Sequence, residues 1–170
     1  MKVIDDFLPS SEFEKLQSIL MGNTFPWYFN DGINEESDER YQFIHQFFYY
    51  DYDKDQYQTT PLFSILESVG IKLLGLTNPS GKLYRIKANL NPRTVFHRKD
   101  GWHIDFINDP PFKTAVYYVN TNNGWTEFKN GGRVKSVANR MVIFDSNLEH
   151  QGVTCTDEKR RVVMNFNYDV

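Results

Sequence analysis

Arg160-Arg161-Val162-Val163-Met164-Asn165-Phe166-Asn167-Tyr168 is written in alternation from Arg161 onward. Successive side chains of a strand turn to opposite faces. Val162, Met164, Phe166 and Tyr168 therefore share one face, and Arg161, Val163, Asn165 and Asn167 share the other. The same split recurs upstream: Tyr84, Ile86, Ala88 and Leu90 alternate with Arg85, Lys87 and Asn89. Trp102, Ile104 and Phe106 alternate in turn with His103 and Asp105. In a sheet covered by helices, the apolar face packs on the helices, and the polar face lines an interior cavity or meets solvent. Both readings stay open for Arg85, Lys87 and Asn89. Solvent accounts poorly for His103 and Asp105.

The helices that would cover this sheet lie in the first half. Ser11-Glu12-Phe13-Glu14 reads as a capping box with Ser11 as N-cap. Phe13, Leu16, Ile19 and Leu20 then keep helical spacing up to Gly22. Thr60-Pro61 opens a second helix, with an apolar stripe of Leu62, Leu66, Val69 and Leu73 and a stop at Gly75. Between them lie strand-like aromatic pieces, Phe25 to Phe29 and Tyr41 to Tyr50, flanked by charged loops at Asp31 to Arg40 and Asp51 to Gln58. From Leu83 onward short strands are expected near 83–90, 102–107, 113–119, 125–128, 133–137, 141–145, 149–153 and 160–168. Asn122-Asn123-Gly124 and Asn130-Gly131-Gly132 supply turns between them. Helices followed by strands imply an α+β, mainly β fold, with the helices laid on one sheet of a two-sheet barrel.

With 170 residues, the chain is expected to form a single domain over 1–170, a helical and aromatic part at 1–80 leading into a β core at 83–168. Hydrophobic residues make up 40% and aromatic residues 16%, which argues against disorder and favours large side chains filling a sandwich or barrel. No apolar run reaches the roughly 20 residues of a membrane helix. The opening Met1-Lys2-Val3-Ile4-Asp5-Asp6 is acidic where a signal peptide would be apolar. Cys155 is the only cysteine, so an internal disulfide is excluded and a reducing, cytoplasmic setting is expected. A net charge of −3 gives no reason to expect a nucleic-acid partner. Lys129, Arg133 and Lys135 read as solvated hairpin charges.

Chemistry concentrates around His103-Ile104-Asp105. Two residues apart on a strand, His103 and Asp105 point the same way. His150 follows Asp105 after 45 residues, enough for several strands and a return to the same place. Two imidazoles and one carboxylate leave one face of an octahedral ion open, a ligand set suited to non-haem iron. Arg161, eleven residues after His150, comes within reach of an acidic molecule on that ion. Arg160 is the competing cation, but it shares the face of Val162, Met164 and Phe166. His97 and Asp100 lack strand parity and read as surface residues. His45, among Phe43, Ile44, Phe47 and Phe48, reads as a packed histidine, and Trp102 and Trp125 as structural.

On these residues the second half resembles the Fe(II)/2-oxoglutarate-dependent oxygenases, specifically the prolyl-4-hydroxylase-like group in its compact bacterial and viral form. The likeness covers about residues 83–168. It runs through Tyr84-Arg85-Ile86-Lys87-Ala88-Asn89, His103-Ile104-Asp105, Tyr117-Tyr118-Val119-Asn120, Phe144-Asp145, His150 and Arg161, with Ile4-Asp5-Asp6-Phe7-Leu8-Pro9 also similar. The resemblance implies a double-stranded β-helix, a jelly-roll or cupin-like barrel. It implies Fe(II) on His103, Asp105 and His150, with 2-oxoglutarate and O2 as co-substrates and ascorbate allowed. Arg161 would hold the far carboxylate of 2-oxoglutarate, where a planar guanidinium meets both oxygens. Tyr118 would assist, its alternative being a core tyrosine, and Asn89 would line the pocket. The implied activity is hydroxylation of an unactivated C–H, with a prolyl residue in a peptide or protein as first choice. A free amino acid or small metabolite is the alternative, and a cupin-like metal protein that does not use 2-oxoglutarate is another. The compact form extends the cytoplasmic expectation to a virus-infected bacterial host, while the oligomeric state stays open.

Overall fold

The structure, a computed structural model, describes residues 1–33, 40–51, 54–77, 80–105 and 112–169. In chain order come strand β1 (Lys2–Ile4), helix α1 (Ser10–Leu20) and strands β2 (Tyr28–Asp31), β3 (Tyr41–Asp51) and β4 (Gln56–Thr59). A 3-10 helix at Pro61–Leu66 runs into α2 (Glu67–Thr77). Then follow β5 (Leu83–Pro92), β6 (Phe112–Tyr118), β7 (Trp125–Phe128), β8 (Arg133–Lys135), β9 (Arg140–Asp145), β10 (His150–Val153) and β11 (Arg160–Asp169).

The strands form two antiparallel sheets. The larger has the order β1-β9-β6-β11-β5-β3-β2, with β4 also on β3; the smaller has the order β10-β7-β8. Both alternating strands of the sequence sit at the centre of the larger sheet. β11 lies between β5 and β6, pairing Met164 with Ala88 and Tyr117, and Phe166 with Ile86 and Ala115. Their apolar face is closed by the helices: Leu16, Leu20, Leu66, Val69 and Leu73 pack with Ile86, Ala88, Val162, Met164 and Phe166 in one buried core. Burying each such side chain contributes about 1.5–3 kcal/mol. A smaller core fills part of the space between the sheets, with Val116, Val142, Phe144 and Val163 of the large sheet meeting Phe128 and Val134 of the small one. The other face of β5 and β11 thus looks inward, and the solvent reading of that face is set aside. No helix among the described residues is long and apolar enough to cross a membrane.

Several local expectations change. Helix α1 begins at Ser10 behind Pro9, whose carbonyl accepts from the backbone of Glu12 and Phe13; there is no side-chain cap, so Ser11 is not the N-cap. The second helical segment does start after Thr60, but its first turn is 3-10 and its α-helix runs past Gly75. β1 was not foreseen, and β4 occupies part of a segment read as loop. Residues 102–105 are not a strand. They touch β10 through one bridge, His103 with His150, after a turn at Gly101 with φ +87°. Positive φ suits glycine and ends any extended run entering from the N-terminal side. Residues 106 and 107 lie outside the described residues.

Candidate metal centre

His103 and His150 are held across that bridge by reciprocal backbone hydrogen bonds of 3.0 Å, each amide donating to the other's carbonyl. Their rings lie 4.4 Å apart, centroid to centroid. Nδ1 of His103 faces the Gly101 carbonyl at 3.2 Å, and Nδ1 of His150 faces the Leu148 carbonyl at 2.9 Å. A carbonyl only accepts, so each Nδ1 carries a proton, and in the neutral ring Nε2 is then the nitrogen left to meet a metal. Burial also pushes the His150 pKa down, which favours the neutral ring.

Asp105 completes the group: one ligand atom from each of His103, Asp105 and His150 lies within 4.8 Å of the others. A backbone bond from Asp105 to the Ser146 carbonyl at 3.0 Å keeps it here without a strand ladder. Its Oδ2 accepts from Thr114 Oγ1 at 2.6 Å and from Asn167 Nδ2 at 3.0 Å. Arg85 donates through Nε to Asn167 Oδ1 at 3.0 Å and places Nη2 3.5 Å from Asp105 Oδ1. Burial raises the pKa of this carboxyl, but Arg85, His150 and the two hydrogen bonds outweigh it and hold the group below the usual carboxylate range. The result is an ionised carboxylate beside two imidazoles that each turn Nδ1 to a backbone carbonyl. That donor set fits a divalent transition metal with open positions.

Arg161 is 3% exposed. Its Nε donates to Ser136 Oγ at 3.0 Å and its Nη2 to Thr126 Oγ1 at 3.2 Å. Tyr118 is fully buried; its hydroxyl donates to Thr126 Oγ1 at 2.8 Å, and its ring centroid lies 5.7 Å from the guanidinium carbon. It supports Arg161 from behind. Arg160 points the other way and donates to the Met21 carbonyl at the end of α1, as strand parity requires. Gly152 makes room here, since a Cβ on it would stand 2.2 Å from Asp100 Oδ2.

Arg161, His103 and His150 line one solvent-open cavity, together with Lys87, Asn89, Asn91 and Asn165. Asn89 is buried with its Oδ1 lacking a hydrogen-bond partner among the described residues. Burial, and then Arg85, push the Lys87 ammonium down to about 8 against the pull of Asp105.

Asp100 is not a surface residue. It is 8% exposed, lines this cavity and pairs with Arg40 at 2.6 Å. Arg40 precedes β3 and is distant in sequence, so strand parity around Asp100 could not reveal the pair. His97 is exposed, with Nδ1 2.7 Å from the Thr154 carbonyl and its ring on Trp125. Trp102 is 42% exposed beside His103, so packing does not account for it, contrary to expectation. His45 is packed as expected, between the Pro26 carbonyl and Thr60. Cys155 is buried, which suits an unreactive thiol. Thr114, Thr126 and Ser136 were missed; for Thr114 the signal was there, since it shares the parity of Tyr118.

No protein-family signature and no curated protein sequence matches this chain. Solved structures do. An oxidoreductase of the 2OG-Fe(II) oxygenase family from Burkholderia pseudomallei superposes with TM-score 0.71 at 10% identity, over 98% of this chain and 84% of that one. A prolyl-4-hydroxylase from Pseudomonas putida gives TM-score 0.63 at 16% identity, over 99% and 91%. HygX from Streptomyces hygroscopicus, with nickel, 2-oxoglutarate and hygromycin B bound, gives 0.62 at 13%, over 98% and 81%. The chain has the double-stranded β-helix fold of the 2OG-Fe(II) oxygenases, prolyl-4-hydroxylases among them.

Proposed function

We propose that this chain is an Fe(II)/2-oxoglutarate-dependent dioxygenase that hydroxylates an unactivated C–H, acting as the single domain its length suggests. The observation that carries the reading is a buried arginine, Arg161, in the same cavity as His103 and His150 of the clustered His103, Asp105 and His150. His103, Asp105 and His150 hold Fe(II), and Arg161 binds the far carboxylate of 2-oxoglutarate through two parallel hydrogen bonds. Ser136, Thr126 and Tyr118 fix the guanidinium for that contact, and Asn89 lines the pocket. When bound, iron, 2-oxoglutarate and O2 supply the oxidation, releasing succinate and CO2 and placing one oxygen atom on the substrate. Thr114, Asn167 and Arg85 keep Asp105 ionised and aimed.

The favoured substrate is a prolyl residue in a peptide or protein, a reading supported by the likeness to a prolyl-4-hydroxylase. A small-molecule substrate is the second reading, supported by the likeness to HygX, which holds hygromycin B. A cupin-like metal protein that ignores 2-oxoglutarate has no use for Arg161 at this place. The deciding experiment measures succinate release from 2-oxoglutarate with Fe(II), with and without prolyl peptides, and the gain of one oxygen by mass spectrometry. Succinate with peptide oxidation supports the first reading, and succinate without it the second. No succinate and no 2-oxoglutarate binding would defeat both.

A further inference from the structure

Three cations sit on the inward face of β5 and β11, and two of them are engaged. Arg85 is held by Asn167 and Asp105, and Arg161 by Ser136 and Thr126. Lys87 lines the cavity with His103 and His150, yet it has no hydrogen-bond or ion-pair partner among the described residues. Its register places it away from Arg161. Lys87 pairs with Asn165, whereas Arg161 pairs with Asn91, four residues further along β5. At about 3.3 Å per residue that is roughly 13 Å of strand, which sets the two cations at different positions along the cavity.

The surroundings of Lys87 are those of an unfilled polar subsite. Asn89, two residues on and on the same face, and Asn165, directly across, each bury an Oδ1 with no partner, as does Asn91. Asn89 and Asn91 are both more than nine-tenths buried. Buried polar atoms without partners are costly and rare, so three acceptors around one cavity point to a ligand that brings N–H or O–H donors to them. Charge gives the ligand its sign. A divalent ion with Arg85, Lys87 and Arg161 outweighs Asp105 and the two carboxylates of 2-oxoglutarate, while Arg40 and Asp100 cancel each other. A neutral prolyl ring would leave the half-buried Lys87 ammonium facing the cavity without a partner among the described residues.

Resting on the dioxygenase reading above, we propose that the molecule oxidised presents a carboxylate to Lys87 and an N–H or O–H donor to the amide oxygens of Asn89 and Asn165. Lys87 is then a specificity-determining residue, distinct from the co-substrate's clamp. The carboxylate could belong to a free amino acid, to a peptide C-terminus or to an acidic side chain. Three matched pairs of probes separate these sources: L-proline and L-prolinamide, acetyl-alanyl-proline and its amide, and acetyl-glutamate amide and acetyl-glutamine amide.

Each probe is titrated calorimetrically, without oxygen, into protein loaded with Mn(II) and 2-oxoglutarate. In at least one pair the acid should bind at least about tenfold tighter than the amide. Lys87→Met, which keeps the stem but not the charge, should abolish that preference, and Lys87→Arg should restore part of it. Both variants should bind 2-oxoglutarate within about threefold of the parent. Acid and amide behaving alike in all three pairs, or neither binding, overturns the proposal. So does a loss of 2-oxoglutarate affinity in Lys87→Met as large as in Arg161→Ala, which would give Lys87 to the co-substrate. A parent that takes up no 2-oxoglutarate with Mn(II) defeats the dioxygenase reading itself, a different failure from bound 2-oxoglutarate without acid preference.

Discussion

The two faces of the sheet at β5 and β11 share one backbone and one set of hydrogen bonds, yet they are built on opposite rules. On the helix side, Ile86, Ala88, Met164 and Phe166 are buried against Leu16, Leu66, Val69 and Leu73. On the cavity side, Arg85, Lys87, Asn89, Arg161, Asn165 and Asn167 carry charge and amide groups into the interior. Asn89 and Asn165 keep oxygen atoms there without partners. Transferring polar groups from water without compensation is unfavourable, so the cavity face lowers stability and the helix face offsets it. One face of the same strands packs the core, and the other lines the cavity.

The comparison breaks first at the metal centre. His103→Ala, Asp105→Ala or His150→Ala should each abolish tight Fe(II) or Mn(II) binding while leaving the thermal unfolding midpoint nearly unchanged, checked by anaerobic calorimetry and a melting curve. Unchanged metal affinity in all three would remove the site from this face. The opposite pattern is expected across the strand. Phe166→Ala should lower stability by about 3–5 kcal/mol, read from denaturant unfolding. A loss under about 1 kcal/mol would mean the helix face is not what holds the sheet.

Arg161→Ala tests the parity of β11 from the cavity side. Removing the partner of a buried carboxylate typically costs about 2–5 kcal/mol, or roughly thirtyfold to several-thousandfold in 2-oxoglutarate affinity. Arg160→Ala, on the helix side, should cost far less, and Arg161→Lys should recover only part of the loss. Apparent affinity from succinate release at saturating iron measures all three. Arg160→Ala proving the more damaging would place the strand one residue out of register.

Smaller effects sharpen the picture. Asn167→Ala leaves His103, Asp105 and His150 in place but removes a hydrogen bond to Asp105, and should weaken metal affinity by about 10- to 100-fold. No change in the same titration would reduce Asn167 to filling. His97→Ala should leave metal affinity and 2-oxoglutarate turnover within about threefold. A loss matching that of His103→Ala would mean the wrong histidine had been chosen.

Much of this was legible in the residues because strand alternation is local. The period of two in Arg161–Tyr168 and Leu83–Leu90 sorts side chains to faces before any partner is known. It correctly sends Arg160 to the helix side and Arg161 inward. The same logic placed His103 and Asp105 side by side, as they are in the structure, but for a reason that did not hold. They meet through single backbone bonds to His150 and Ser146, not through a strand. Asp100 was misplaced because its environment comes from Arg40, sixty residues earlier, and from Gly152.

The sequence by itself determined which side chains share a face, which residue types could hold a metal, and that helices precede a β core, since all of these follow from spacing along one chain. The tertiary structure alone decided that the polar face turns inward, that Asp100 is buried, and that Lys87 reaches the cavity without a partner among the described residues. Those depend on which strands become neighbours, and burial and electrostatic pairing are properties of neighbours in space, which spacing along the chain does not encode.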